Sequence, residues 1–173
     1  VWAKNEEGRI HGLIVERGME GFTTPETHNK WSLRASATGE LIFDNVKVPK
    51  ENLLPGKSGL GAPMMSLDSA RYGIAWGAIG AAMDCYDTAL RYAKERIQFD
   101  KPIAATQLQQ KKLAEMITEI TKAQLLTWRL GVLRNEGKAT TAQLSMAKRN
   151  NVDMAINIAR EARQILGGMG ITG

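Results

Sequence analysis

The spacing of apolar residues divides the chain into two parts with different periods. Up to about residue 55, short runs of branched apolar residues end at glycine or proline, which is typical of β-strands. From Pro63 onward, apolar residues recur at steps of three and four, which predicts amphipathic helices. The sequence therefore predicts a β region followed by a helical region.

Two stretches of the β region carry the strand pattern. RIHGLIVERG is a short branched run closed by glycine, and GELIFDNVKVPKENLLPG alternates apolar and polar residues. The alternation changes frame at Asp44 and Asn45, so a bulge or a tight turn is needed there to return the apolar residues to one face. Pro49 and the LPG at 54–56 predict the end of the sheet region.

Start and stop signals bound the predicted helices. The second begins at TQLQ, where Thr106 and Gln109 fit a capping box, and Gly137 in NEGK is a natural C-terminal cap. The third begins at TTAQ (140–143), another capping-box candidate. Three long helices with short connections predict an antiparallel bundle. The predicted core faces are Ala75, Ala78, Ile79, Ala82, Met83, Tyr86, Ala89, Leu90 and Ala93 in the first helix, Leu113, Met116, Ile117, Ile120, Ala123, Leu126, Leu130 and Leu133 in the second, and Leu144, Ala147, Val152, Ala155, Ile158, Ala159, Ala162, Ile165 and Leu166 in the third.

Both regions are small for an independent fold. About 55 residues of β structure cannot close a barrel, and three amphipathic helices would gain from a fourth that closes the bundle. We therefore expect an α+β fragment of a larger protein, or a chain that depends heavily on partners.

The composition is typical of soluble globular proteins. Of 173 residues, 43% are hydrophobic and 24% are charged. No apolar run approaches the roughly 20 residues of a membrane span, and the N-terminal VWAKNEEGRIHG lacks a signal-peptide pattern. The single cysteine, Cys85, fits a reducing compartment and lies on a predicted apolar helix face, which favours a packing role over a nucleophilic one.

The net charge of +5 invites a nucleic-acid hypothesis, but the basic residues are scattered. Those in QQKKLAE and AKRNN lie among polar helix positions, which favours a solvated face. The chain has neither an aromatic platform nor a zinc spacing, and His11 and His28 lack nearby ligands. We therefore expect no nucleic-acid partner, no membrane partner and no metal.

Glycines inside the first helix form the first candidate for ligand chemistry. In SLDSARYGIAWGAIGAAM, each of Gly73, Gly77 and Gly80 costs about 1 kcal/mol relative to alanine. Either this small-residue face packs closely on another helix, or the helix start lies against a ligand to which Arg71 offers charge.

The other two candidates lie at helix ends. In KERIQFDKPIAATQLQQ, Arg96 either pairs with Glu95 or Asp100, or binds a pyrophosphate at the corner between two helices. In RQILGGMG, the paired glycines are either a helix cap or an exposed backbone beside which Gln164 bonds a polar ligand. No Ser-His-Asp, HExxH or Walker pattern occurs, so the residues alone indicate only a β region and a helical bundle, with a phosphate-bearing ligand as the candidate.

Taken in order, these stretches resemble the acyl-CoA dehydrogenase family over essentially the whole chain. The matching segments are SLRASATGELIFDNVKVPKENLLPG, RYGIAWGAIGAA, RYAKERIQFDKPIAATQLQQKKLAEM and AREARQILGGMGITG. LRASATGE and ARYGIAWG are most similar to the glutaryl-CoA dehydrogenase branch. The family has an N-terminal helical domain, a central β domain and a C-terminal four-helix bundle. The resemblance implies that residues 1–55 end the β domain and that residues 56–173 form the first three bundle helices.

The resemblance also implies an activity. These enzymes use FAD to oxidise the Cα–Cβ bond of an acyl-CoA, and the glutaryl-CoA branch converts glutaryl-CoA to crotonyl-CoA with decarboxylation, in lysine and tryptophan degradation. The implied partners are an acyl-CoA substrate, electron-transfer flavoprotein as acceptor and further copies in a homotetramer. The implied location is the cytoplasm of a bacterium or the mitochondrial matrix of a eukaryote. The alternatives are another short-chain acyl-CoA dehydrogenase, an acyl-CoA oxidase, or a non-catalytic helical interaction module of the same fold.

The family pattern assigns residues of this chain to two binding sites. In the family, the segment that corresponds to residues 164–168 lies against the FAD of a neighbouring subunit. The substrate-binding residues implied are Met64, Met65, Ser66, Leu67, Asp68, Ser69, Ala70 and Arg71. The cofactor-binding residues implied are Arg96, Gln107, Gln164, Ile165, Leu166, Gly167 and Gly168.

The sequence departs from the family pattern in two places. Asp100 stands where the family usually has glycine, close to an expected phosphate, and Met169 replaces the asparagine of the common GGNG. The YEGT motif that carries the branch's catalytic glutamate does not occur, so we expect that glutamate beyond Gly173 and expect these residues alone to be inactive. Four glutamates on charged helix faces are not expected to replace it. They are Glu95, Glu115, Glu119 and Glu161.

Overall fold

The two periods of the sequence correspond to two separate units of the computed structural model, which describes residues 1–172 apart from the side chain of Lys57. The first unit is Val1–Met65, and the second begins at Ser66. Strands and turns make up most of the first unit, and three long helices make up the second.

A three-stranded antiparallel sheet forms the centre of the first unit. It contains β1 (Trp2–Lys4), β2 (Ile10–Leu13) and β5 (Leu53–Ser58) in the order β1-β2-β5. The strand predicted in RIHGLIVERG is confirmed as β2. The predicted end of the sheet at 54–56 is wrong, because β5 runs through Pro55 and pairs with β2. An edge strand tolerates proline because the missing N–H costs no ladder hydrogen bond there.

A second, two-stranded sheet pairs β3 (Phe22–Thr23) with β4 (Ile42–Phe43). The rings of Phe22 and Phe43 stack with centroids 5.1 Å apart. The frame change predicted after Phe43 is confirmed as a turn, since Asn45 has a φ of 53° in the left-handed region. The chain does not return to a strand at 46–49, so the alternation there does not represent a further strand.

The predicted helices α1 (Gly61–Glu95), α2 (Gln107–Asn135) and α3 (Thr141–Leu166) are all present. They pack as an antiparallel bundle around two clusters of buried apolar residues, as their pattern predicted. One cluster lies where α1 ends, α2 begins and α3 ends. Its buried members are Ile79, Ala82, Ala89, Ala93, Leu113, Met116, Ile120, Ala123, Met154, Ile158, Ala162 and Ile165. The other lies at the opposite end and contains Ala75, Leu130, Leu144 and Ala147.

The caps agree with the sequence at two of three predicted positions. Thr140 and Gln143 form the predicted capping box at the start of α3, and Gly137 follows α2 with a φ of 69°. Thr106 precedes α2 but does not form the predicted box with Gln109. Its hydroxyl instead donates to the Ile103 carbonyl over 2.8 Å, because a short 3₁₀ turn at 103–105 places that carbonyl within reach.

The glycines of α1 make no close contact with the other described residues. A Cβ added at Gly73, Gly77 or Gly80 would meet no atom of residues 1–172 within 4 Å, so close packing on another helix, one of the two alternatives, is not realised within this part of the chain. The close contact is made by Gly131 of α2 instead, where an added Cβ would lie 2.5 Å from the Tyr72 hydroxyl.

Several large apolar side chains on α1 and α2 are exposed. Met83 and Ile117, both predicted to lie in the core, are 46% and 41% exposed. Trp76 and Trp128 also lie largely outside the core. Gln124 of α2 donates to the Met83 sulfur over 3.5 Å, so the two exposed faces lie side by side. We name this surface the α1/α2 face, defined by Trp76, Gly77, Gly80, Met83, Ile117 and Trp128.

Cys85 is half-buried and packs against the larger core cluster, which agrees with its predicted packing role. Burial, and secondarily the neighbouring charge of Asp84, raise the pKa of its thiol above the usual value. The thiol is therefore protonated at neutral pH, and it has the character of a small apolar side chain.

Candidate functional site

The Asp68 carboxylate holds Arg71 near the start of α1. The two residues are three apart, so they lie on one face of the helix, and Arg71 Nη1 donates to Asp68 Oδ1 over 2.7 Å. The other oxygen, Asp68 Oδ2, accepts from the Thr141 hydroxyl over 2.6 Å. Thr141 is the first residue of α3, so the carboxylate links Arg71 to a second helix.

The same part of α1 is joined to α2 through Arg134. The Arg134 guanidinium lies 4.6 Å from the centre of the Tyr72 ring, which is a cation–π contact. Its Nη2 also donates to the Ser69 hydroxyl over 3.4 Å. Both other helices therefore hold the segment 68–72 in place.

A groove with excess positive charge borders Arg71. It encloses about 520 Å³ and runs along α3, where Lys148 and Arg149 contribute to its wall. Asp153 is its one acidic lining residue, and Val152 and Ile156 supply an apolar part. A groove of this composition suits an anionic ligand that also carries an apolar group.

At the opposite end of the bundle, a hairpin joins α1 to α2. It pairs β6 (Ile97–Gln98) with β7 (Lys101–Pro102). The two residues between these strands, Phe99 and Asp100, have φ values of 53° and 61°. A two-residue hairpin loop with left-handed residues favours asparagine, aspartate or glycine, so Asp100 fits where the family usually has glycine. Its carboxylate forms no ion pair among residues 1–172.

Two of the predicted cofactor positions lie at the hairpin end. Arg96 follows the last residue of α1, Gln107 is the first residue of α2, and both side chains are exposed. Within the described part of the chain, Arg96 forms no ion pair with Glu95 or Asp100, so that alternative is not realised. The buried Oε1 of Gln109, two residues further along α2, has no hydrogen-bond partner among the described residues. The exposed side chains of Arg96 and Gln107 are open to a polar ligand from outside the chain.

The segment 164–168 reaches this end through the antiparallel course of α3. Ile165 and Leu166 pack in or against the core, while Gln164 is exposed. Gly167 has a φ of 58°, and its N–H donates to the Gln164 carbonyl. This residue therefore caps α3, which is one of the two interpretations of the paired glycines. Gly168 has an ordinary φ, and a Cβ added there would meet nothing within 4 Å.

Within one chain, the structure does not bring the two predicted sites together. Met64 and Met65 belong to the first unit, and Ser66 to Arg71 begin the second. At 1.5 Å per residue, Arg71 and the end of α1 at Glu95 are about 36 Å apart along the helix. This separation is far beyond the reach of any side chain.

The four glutamates that were not expected to act as bases lie in ordinary surroundings. Glu115 pairs with Lys111 and Glu119 with Lys122 on the surface of α2. The others are Glu95, which is exposed, and Glu161, which lies 2.9 Å from Lys112. Over residues 1–172, no group of acidic, histidine or cysteine side chains is placed to hold a metal ion. None of the helices described there is long and apolar enough to cross a membrane.

Comparison with known proteins defines the family. The pattern for "Acyl-CoA dehydrogenase, C-terminal domain" matches residues 57–173. The short-chain specific acyl-CoA dehydrogenase of Rattus norvegicus mitochondria is 39% identical over 176 residues, covering 98% of this chain and 42% of that protein. The chain therefore belongs to the acyl-CoA dehydrogenase family, whose members use FAD.

Solved structures agree with this assignment. The glutaryl-CoA dehydrogenase of Mycobacterium smegmatis superposes with a TM-score of 0.95 at 50% identity, over all of this chain and 44% of that one. A glutaryl-CoA dehydrogenase of the same organism in complex with FADH2 gives 0.95 at 47% identity, over 99% of this chain and 44% of that one. The chain thus spans less than half the length of the relatives it matches.

Proposed function

We propose that the protein containing this chain is an FAD-dependent dehydrogenase that oxidises glutaryl-CoA and releases crotonyl-CoA and carbon dioxide. The observation that carries this proposal is that Arg96 and Gln107 flank the hairpin at the end of the bundle where α3 ends before Gly168, since Ile103 and Ile165 belong to one packed cluster. The catalytic base is expected outside residues 1–173, and this chain contributes binding groups.

The hairpin end fits the diphosphate of FAD. Arg96 has no carboxylate partner among the described residues and offers a planar set of donors to an anion. Gly168 lets a ligand approach the backbone, and Gln107 and Gln164 add exposed amide groups. When bound, FAD supplies a hydride acceptor for the Cβ–H bond of the acyl group. These residues bind and orient it.

The segment Met64–Arg71 is proposed to line the acyl-CoA pocket. Its apolar members suit the acyl chain, and Met65 is 62% exposed. Arg71 keeps several unpaired N–H donors beside the groove, which suits a carbonyl or carboxylate oxygen of the substrate.

We propose that several copies of the chain assemble. The acyl-CoA segment and the FAD segment lie at opposite ends of α1, so one complete active site needs segments from two copies. The segment 164–168 then contacts the FAD of another subunit in a homotetramer. The α1/α2 face supports assembly, since its three-glycine helix and its exposed tryptophans are otherwise unused. Electron-transfer flavoprotein is the proposed acceptor, in the cytoplasm of a bacterium or in the mitochondrial matrix.

We propose glutaryl-CoA as the substrate over other acyl groups because identity to the Mycobacterium smegmatis glutaryl-CoA dehydrogenase is 50%, against 39% to the rat short-chain enzyme. Turnover of the full-length protein with a dye as electron acceptor tests this choice. Faster turnover of glutaryl-CoA than of butyryl-CoA, with release of carbon dioxide, supports the proposal. The reverse preference favours the second candidate, a short-chain acyl-CoA dehydrogenase.

A further inference from the structure

We propose that Asp68 and Thr141 are positioning residues that set the direction of the Arg71 guanidinium toward the acyl-CoA. Asp68 acts on Arg71 directly, and Thr141 acts through Asp68. The inference rests on the proposed function, because it assumes that Arg71 meets a substrate oxygen. It gives Asp68 a role within the chain in addition to its place in the segment proposed to line the pocket.

The geometry of the carboxylate is the first argument. Asp68 uses both oxygens on partners of fixed position: Oδ1 accepts from Arg71 over 2.7 Å, and Oδ2 accepts from Thr141 over 2.6 Å. Both the Asp68 and Arg71 side chains are more than two-thirds buried, at 22% and 28% exposed. A carboxylate held at both oxygens cannot rotate freely, so it restrains the guanidinium group that donates to it.

The hydroxyl of Thr141 is available for this purpose because its neighbour caps the helix. Thr140 closes the capping box of α3 with Gln143. Thr141, at the first helical position, sends its hydroxyl across to a residue 73 positions earlier. A long-range side-chain contact of this kind fixes the start of α3 against α1.

Electrostatics supply the second argument. Arg71 shares its groove with Lys148 and Arg149, whose charges repel the guanidinium and are only partly offset by the one acidic residue of the lining, Asp153. Asp68 offsets that repulsion and occupies only one of the five N–H donors of Arg71. Among the described residues Arg71 has no further hydrogen bond or ion pair, so its other donors are free for an acceptor oxygen.

The test uses four variants of the full-length flavoprotein: Asp68→Asn, Thr141→Val, Thr141→Ser and, as a matched control, Thr118→Val. Thr118 has a hydroxyl that donates only within its own helix, to the Ala114 carbonyl. The measurements are FAD content, thermal unfolding and the rate of anaerobic flavin reduction as a function of glutaryl-CoA concentration.

We expect Asp68→Asn and Thr141→Val to raise the half-saturating glutaryl-CoA concentration or lower the limiting rate by about tenfold, which is the effect of misplacing one charged hydrogen bond. FAD content and the unfolding temperature should stay near wild type, Thr141→Ser should restore the wild-type rate, and Thr118→Val should change nothing.

Unchanged reduction in Thr141→Val, or a loss that Thr141→Ser fails to restore, overturns the inference while leaving the proposed function intact. A loss of FAD or of thermal stability as large as the loss of rate also overturns it, because the contact is then only structural. If no acyl-CoA reduces the wild-type flavin, the proposed function itself is wrong, and the inference falls with it.

Discussion

Asn151 donates from Nδ2 to the Thr127 hydroxyl over 2.7 Å, and both side chains are completely buried. The same amide donates to the Ala75 carbonyl over 3.0 Å, so one side chain of α3 joins α2 and α1. Thr127 in turn donates to the Ala123 carbonyl of its own helix. All three helices therefore meet at one polar point inside an apolar core, which fixes their register.

Removal of this buried polar point should destabilise the bundle. Asn151→Ala leaves the Thr127 hydroxyl with one partner fewer and opens a cavity, so we expect a loss of about 2–3 kcal/mol. Thr127→Val should cost about 1–2 kcal/mol. Chemical denaturation of the purified protein measures both. Thr121→Val is the control, because the exposed Thr121 hydroxyl donates to the carbonyl of Ile117, four residues earlier, just as the Thr127 hydroxyl donates to the Ala123 carbonyl. Equal stability of Asn151→Ala and the control contradicts the role given to Asn151.

The glycines at the end of α3 should respond differently to alanine. A Cβ at Gly170 would clash with the Arg163 carbonyl oxygen, so Gly170→Ala should destabilise the protein by more than about 1 kcal/mol. Gly168→Ala meets no atom of the described residues and should leave the unfolding temperature of the FAD-free protein unchanged while FAD content falls. Thermal unfolding with and without added FAD separates the two effects. Full FAD content in Gly168→Ala speaks against a close approach of cofactor to this backbone.

The α1/α2 face should act as an interface. Gly77→Leu places a large side chain on a surface that is open within the chain, so the chain itself should fold while the assembly dissociates to smaller species. Light scattering after gel filtration measures the mass. Gln110→Leu is the control, since this exposed position lies outside the α1/α2 face. A wild-type mass for Gly77→Leu contradicts an interface at Gly77.

The reactivity of Cys85 should follow its raised pKa. Burial disfavours the thiolate, so alkylation by iodoacetamide should be slow at neutral pH and should rise only above the pH at which an exposed cysteine reacts. Because the folded pKa is raised, the contribution of this thiol to stability is present at neutral pH and is lost as the pH rises through that pKa. Rapid alkylation of the native protein at neutral pH contradicts this burial.

The long helices followed from the sequence because their apolar period is carried by many residues at once, and Thr140 and Gly137 mark their ends by local chemistry alone. The strand through Pro55 did not follow, because its pairing with β2 depends on residues about 40 positions away. The close glycine contact between helices did not follow from the sequence for the same reason. Nothing local distinguishes Gly131, which meets Tyr72, from the open glycines of α1.

The sequence predicted the individual residues of the candidate site but not the hydrogen bonds that join them. The paired glycines, Arg96 and Gln107 stand out by residue type at helix ends, and the fold places those ends together. The bond between Thr141 and Asp68 leaves no sequence signal, because a threonine beside a capping threonine has many uses and its partner lies on another helix.

The central claim is that this chain supplies binding groups to an FAD-dependent glutaryl-CoA dehydrogenase. Anaerobic titration of the full-length, FAD-loaded protein with glutaryl-CoA, followed by flavin absorbance, tests it most directly. We predict that the yellow colour bleaches with glutaryl-CoA and persists with butyryl-CoA. Persistence of the colour with glutaryl-CoA, or a purified protein that takes up no FAD, contradicts the account.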